Sequence, residues 1–172
     1  MNIEFVNILD VDEDLIEQVR KWRNSKNVSK YMYTDHYISK EEHRRWIEKL
    51  KTRKNAKAWI IRYENKPIGL VSLSDIDYKN KTTDWGFYIA DESIRGKGIG
   101  TIALQKLISI VFDEMKLNKM HTIVFNNNIV AIKLYEKLGF TKVGKRQEKI
   151  VRNGEIIELI NMEISKRNWI KK

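Results

Sequence analysis

The sequence contains no cysteine among its 172 residues. That absence removes disulfides, thiolate nucleophiles and cysteine-ligated zinc together. Proline occurs once, at Pro67, and no proline-, glycine- or serine-rich stretch, repeat or charge block marks a linker. One domain spanning residues 1–172 is therefore expected, long enough for a sizeable core. No run of about 18 apolar residues exists, which speaks against a membrane-spanning helix. The opening MNIEFVNILDVDEDL lacks a basic start followed by a long apolar run, so no signal peptide is expected, and a cytoplasmic location is the simplest reading. The three histidines, His36, His43 and His121, show no ligand spacing, and no metal is expected.

What is abundant is positive charge. Lys and Arg number 33 against 23 Asp and Glu, for a formal net charge of +10. Such a balance favours anionic partners, among them nucleic acids, nucleotide phosphates and membrane surfaces. The lysines are spread along the whole chain with no basic arm, as on a solvated surface. Neither a nucleic-acid nor a membrane partner is expected on this ground.

Periodicity gives the element order. Ile3–Leu9 reads as a strand, and Leu15, Ile16, Val19 and Trp22 fall at helical spacing after it. A short helical piece covers residues 27–32. Ser39 and Glu42 form a capping box ahead of a helix with His43, Trp46, Ile47 and Leu50 on one stripe. Strands follow at AKAWIIRY, IGLVSLS and TDWGFYIA, separated by turns such as ENKP. A broadly apolar helix runs from about Gly100 to Met115, then a strand MHTIVF and a helix NIVAIKLYEKLGF closed by Gly139. Two last strands flank Asn153-Gly154, a tight hairpin turn. The order β-α-α-α-βββ-α-β-α-ββ predicts an α/β (α+β) layered domain with a mixed sheet.

Between strand and helix lies RGKGIG. Glycines let a backbone approach a ligand closely, and the free N–H groups at a helix start favour an anion such as a pyrophosphate. Arg95 and Lys97 add positive charge. Gly96, Gly98 and Gly100 give G-x-G-x-G, which is not the G-x-G-x-x-G of dinucleotide sites, and the Walker A pattern is absent.

What fits is R-x-x-G-x-G, carried by Arg95, Gly98 and Gly100. With it go the preceding strand WGFYIA and a late N-x-x-A-x-x-L-Y-E-K-x-G-F helix with Asn128, Ala131, Leu134, Tyr135, Gly139 and Phe140. In this the chain resembles the GNAT superfamily of N-acetyltransferases over nearly all its length. The resemblance implies a mixed, mostly antiparallel sheet of about seven strands flanked by helices, with a splayed strand pair at an acetyl-CoA site. It implies acetyl-CoA as donor, with the backbone of Arg95, Gly96, Lys97, Gly98, Ile99, Gly100 and Thr101 around the pyrophosphate. The edge of Tyr88, Ile89 and Ala90 would pair with pantetheine like an added strand, and Asn128 would steady the pantetheine arm.

Acetyl transfer to an amine needs a base for the ammonium proton, a donor for the oxyanion and an acid for the departing thiolate. The resemblance makes Tyr135 the acid, although its place on an apolar helix stripe also suits a packed tyrosine. The base stays open between a water chain, His43 and Asp75. Asn126 stands where some relatives have glutamate, and an amide cannot take the proton. His43 is the choice made, since its unperturbed pKa suits the task; a core histidine is the competing reading.

The acceptor half resembles a narrower family, the PseH-like acetyltransferases of pseudaminic-acid biosynthesis. The matching residues are Trp22, Arg23, Asn24, Met32, Ile38-Ser39 and His43, with Ser72 and Ser74 in GLVSLSDID. This implies transfer to the 4-amino group of a UDP-linked 4-amino-4,6-dideoxy sugar used in flagellin glycosylation. Arg23, Lys30 and Lys81 are candidates for its diphosphate. The alternative is an N-terminal protein acetyltransferase of the ribosomal-protein type, which shares the helix Glu41–Trp46. Polyamines rank lower, because a polycation is poorly attracted to a +10 protein. A CoA-binding scaffold without catalysis is the reading from another class. The oligomeric state, a homodimer included, is not legible.

Overall fold

The computed structural model describes residues 2–169, and at 145–147 the backbone alone. The chain forms two compact units, Met1–Ile76 with Trp85–Leu104, and Asp77–Asp84 with Gln105–Lys172. Among the described residues seven strands pair in the order Ile3–Asn7, Lys57–Tyr63, Lys66–Asp77, Thr82–Ile89, Lys119–Phe125, Glu155–Ser165, Thr141–Arg152. The result is the open mixed sheet with flanking helices that the sequence predicted.

In the first unit, β1 (Ile3–Asn7) pairs antiparallel with β2 (Lys57–Tyr63), and β2 with β3 (Lys66–Asp77). Glu64 and Asn65 turn between β2 and β3 with φ of 48° and 67°. Helix α1 (Glu13–Asn24) begins where the Asp12 carboxylate accepts Leu15 N–H at 2.9 Å. After α2 (Lys26–Ser29), α3 (Lys40–Thr52) begins on Ser39, whose Oγ accepts Glu42 N–H at 3.1 Å. The capping box is only half formed, because the Glu42 carboxylate bonds His36 Nε2 at 2.8 Å instead of reaching back.

The apolar stripes of α1 and α3 meet the strands in a cluster of Ile8, Val19, Ile47, Leu50, Ala58, Ile60 and Leu70. Burial of each large aliphatic side chain contributes about 1.5–3 kcal/mol. Two local departures mark this unit. The first strand ends at Asn7 rather than Leu9, since the Asn7 side chain accepts Leu9 N–H at 2.9 Å and turns Ile8–Asp10 into a 3₁₀ turn. β3 runs three residues past Ser74, through a kink at Asp75 with φ of 49°.

In the second unit, β4 (Thr82–Ile89) opens with Thr82–Asp84 parallel to β5 (Lys119–Phe125). Its remaining residues belong to the first unit. β5 pairs antiparallel with β7 (Glu155–Ser165), which returns from β6 (Thr141–Arg152). The hairpin turn is Asn153-Gly154, with φ of 53° and 79°, as its sequence demands. Helix α4 (Ile99–Ser109) buries Leu107 and Ile108 fully. Beyond Ser109 the expected single helix widens into a π-helical turn over Ile110–Glu114, where Met115 N–H bonds Ile110 C=O at 2.8 Å. Helix α5 spans Ile129–Lys137.

Candidate active site

The end of β4 is irregular in a useful way. The N–H groups of Ala90 and Asp91 both donate to the Ile68 carbonyl, at 2.7 and 3.3 Å. Two donors on one acceptor interrupt the regular alternation of a ladder. Gly69 makes this possible, because a Cβ at that position would lie 2.1 Å from the Tyr88 carbonyl oxygen. An isolated glycine inside a strand signals such a close approach. Asn27 of α2 adds a bond from its Nδ2 to the Ala90 carbonyl at 3.3 Å. Neither Gly69 nor Asn27 was singled out in the sequence; the glycine carried a signal and the asparagine none.

The segment after β4 is held by its own polar contacts. Asp91 accepts from Ser93 and pairs with Lys66 at 2.9 Å, and these contacts, Ser93 first, bring its pKa down to about 2. Arg95 reaches the Ile89 carbonyl at 3.3 Å and Glu92 at 3.6 Å. Gly96 and Gly98 hold φ of +80° and +79°, the left-handed region that glycine occupies without strain. Lys97 is exposed, Ile99 is buried, and Gly100 and Thr101 are half-buried. The first bond of α4 runs from Ile102 N–H to Gly98 C=O at 3.2 Å. The N–H groups of Ile99, Gly100 and Thr101 precede it and have no intrahelical partner. Two left-handed glycines, the free N–H groups of a helix start and two cations fit the diphosphate of acetyl-CoA.

The expected acceptor residues lie in the same unit as this cradle. Trp22 is half-buried against the apolar cluster. The two polar residues after it are already engaged. Arg23 Nη2 donates to the carbonyl and hydroxyl of Thr34 at 2.7 and 3.0 Å. The Asn24 amide donates to the Ile38 carbonyl at 3.0 Å and accepts Ile38 N–H at 2.8 Å. Together with Arg20, which donates to Tyr37 Oη and the Ile38 carbonyl, they fasten the segment 33–39 to α1. Spacing alone could not show this use, since the partners lie 11 to 18 residues away. Met32 is half-buried, as is Ser72, whose Oγ faces Gly86; Ser74 is exposed.

His43 is 6% exposed, and its ring lies 5.3 Å from that of Trp46. Its backbone N–H donates to the Ser39 carbonyl at 3.0 Å, inside the first turn of α3. Burial first, then the Arg20 charge, push its pKa below the usual imidazole value, so the neutral ring is favoured. Asp75 is exposed.

The remaining expected residues belong to the second unit. The Asn128 side chain accepts Ala131 N–H at 3.4 Å and caps α5. Tyr135 is 7% exposed, with its ring 5.8 Å from that of Phe140, and burial pushes its hydroxyl pKa well up. Asn126 extends the β5–β7 ladder: its N–H donates to the Glu158 carbonyl at 2.9 Å and its Oδ1 accepts Glu158 N–H at 3.3 Å. This residue is structural, in keeping with its exclusion as a base. His121 joins Asp84 at 3.0 Å and Asn161 at 2.8 Å, tying β4, β5 and β7 together at the last parallel rung. Among the described residues no group of His, Asp and Glu could hold a metal, and no helix is long and apolar enough to cross a membrane.

Comparison with known proteins bears on this geometry. The family profile "Acetyltransferase (GNAT) domain" matches residues 7–141. Acetyltransferase PseH of Campylobacter jejuni is 30% identical over 139 residues, 81% of this chain and 85% of that protein. Its structure with acetyl coenzyme A superposes with a TM-score of 0.72 at 22% identity, covering 96% of this chain and 99% of that one. The putative ribosomal N-acetyltransferase YdaF of Bacillus subtilis is 33% identical over 62% of this chain and 58% of its own. A spermidine N-acetyltransferase of Vibrio cholerae, solved with CoA and spermine, superposes with a TM-score of 0.86 at 22% identity, covering 96% of both chains.

Proposed function

We propose an acceptor for a chain that belongs to the GNAT acetyltransferase family and is an acetyl-CoA-dependent N-acetyltransferase. That acceptor is the 4-amino group of a UDP-linked 4-amino-4,6-dideoxy sugar. The carrying observation is the 30% identity to PseH over 81% of the chain. The match at Trp22, Arg23, Asn24, Met32, His43, Ser72 and Ser74 supports it. The higher TM-score of the spermidine enzyme concerns the fold alone, and a +10 chain disfavours a polycation. The reading places the protein in the cytoplasm, in pseudaminic-acid synthesis for flagellin glycans, with residues 1–172 working as one domain.

Acetyl-CoA supplies the activated acetyl group. Backbone N–H groups from Gly96 to Thr101 bind its diphosphate, the Arg95 N–H being taken by the Glu92 carbonyl at 3.3 Å, and the edge Tyr88–Ala90 with Asn128 aligns its arm. Neutral His43 takes the proton from the acceptor ammonium. Tyr135, held protonated by burial, gives a proton to the leaving thiolate.

The test is thiol release from acetyl-CoA against a UDP-4-amino-4,6-dideoxy sugar, N-terminal peptides and spermidine. Turnover on the sugar is expected; turnover on peptides or spermidine alone overturns the acceptor. On the sugar, kcat/KM should fall on acidification with a midpoint below pH 6.5, because the active ring is the neutral one and burial lowers its pKa. His43→Gln should remove that limb. The same depression makes the fold lose stability as pH falls below the ordinary imidazole value and through the lowered one, since the unfolded chain binds that proton first.

A further inference from the structure

We infer that the Tyr88 hydroxyl hydrogen-bonds an oxygen atom of the amine acceptor and helps select it. The main chain of Tyr88 lies on the β4 edge beside Gly69, but its ring goes elsewhere. It packs on the cluster of Ile8, Val19, Ile47, Leu50, Ala58, Ile60 and Leu70, in company with Trp22 and Trp46. There the hydroxyl is buried and has no hydrogen-bond partner among the described residues. Burial raises its pKa, and the Arg23 guanidinium acts on it in the opposite direction.

A buried hydroxyl left unpaired destabilises a fold, and a phenylalanine would fill the same space without that penalty. Positions that break a local rule in this way are commonly functional. The neighbours point to which function. Trp22 packs on the cluster, Arg23 supplies a charge that acts on the hydroxyl, and the His43 ring lies tilted against that of Trp46. These are residues expected to face the acceptor, and the inference rests on that reading of them. A protonated phenol beside a guanidinium offers hydrogens and positive charge. Its complement is a hydroxyl, carbonyl or phosphate oxygen, and an ammonium is repelled. Tyr88 thus has two duties, with its main chain toward the donor and its ring tip toward an oxygen-bearing acceptor.

The experiment compares the full chain with Tyr88→Phe in steady-state kinetics and thermal melting. The expected result is a rise in acceptor KM of about tenfold, with kcat and the acetyl-CoA KM within about twofold. The melting midpoint should stay the same or rise, because an unpaired polar group has gone. An unchanged acceptor KM overturns the inference. So does a parallel rise in the acetyl-CoA KM or a lower midpoint, either of which marks the hydroxyl as part of the fold. If the amino sugar is not the acceptor, that reading fails by itself, and the same comparison is made on the peptide that is turned over. Spermidine as the one acceptor of the panel overturns the inference, since it carries no oxygen.

Discussion

Two helices that follow strands in this chain, α4 and α5, begin differently. α5 follows β5 and is capped from within, Asn128 supplying the oxygen that accepts Ala131 N–H. α4 follows β4 and is preceded by Gly98, which has no side chain to offer. The α5 start is capped by its own residue, and the α4 start has no such cap, which leaves its N–H groups for the diphosphate proposed above. Further along, α5 carries Tyr135, the proposed acid.

The sharpest way to probe the contrast is at that tyrosine. Tyr135→Phe should lower kcat about a hundredfold or more while the acetyl-CoA KM stays within twofold. A change in the acetyl-CoA KM instead would make Tyr135 a packing residue and leave α5 with no chemical part. Next in size is Gly98→Val. A branched side chain at φ of +79° is strained, and the cradle must move. The acetyl-CoA dissociation constant should rise about tenfold by calorimetry, and the strain of about 1–3 kcal/mol should lower the melting midpoint by several degrees. An unchanged affinity would mean that the open helix start is not the anion site. The smallest effect belongs to the cap. Asn128→Ala should weaken the fold by about 1 kcal/mol, or about 2–4 °C in midpoint. Asn128→Asp keeps the cap and should recover the midpoint. If the acetyl-CoA KM is still raised in the Asp variant, Asn128 also serves the donor.

Much of this was readable in advance where the cause is local. The element order came from periodicity, the hairpin turn from Asn153-Gly154, the start of α3 from Ser39, and the cradle from three glycines in a row of six residues. What escaped depended on partners distant in sequence. Glu42 looked like half of a capping box until His36 took its carboxylate. Arg23 and Asn24 were expected to face the acceptor, yet their bonds go to Thr34 and Ile38. The crowding at Gly69 arises from Tyr88, 19 residues later by number. Helical spacing carries no record of such meetings, and the widening of α4 into a π turn left none either.

The fastening of residues 33–39 has one more consequence. α1 grips that segment largely by main-chain atoms, the carbonyl of Thr34 and both backbone groups of Ile38. A grip on main chain is indifferent to what the side chains are. Outside the two side-chain bonds, at Thr34 Oγ1 and Tyr37 Oη, the clamp sets no condition on residue identity, so substitutions at Ile38 can accumulate in evolution while the segment stays where α1 holds it.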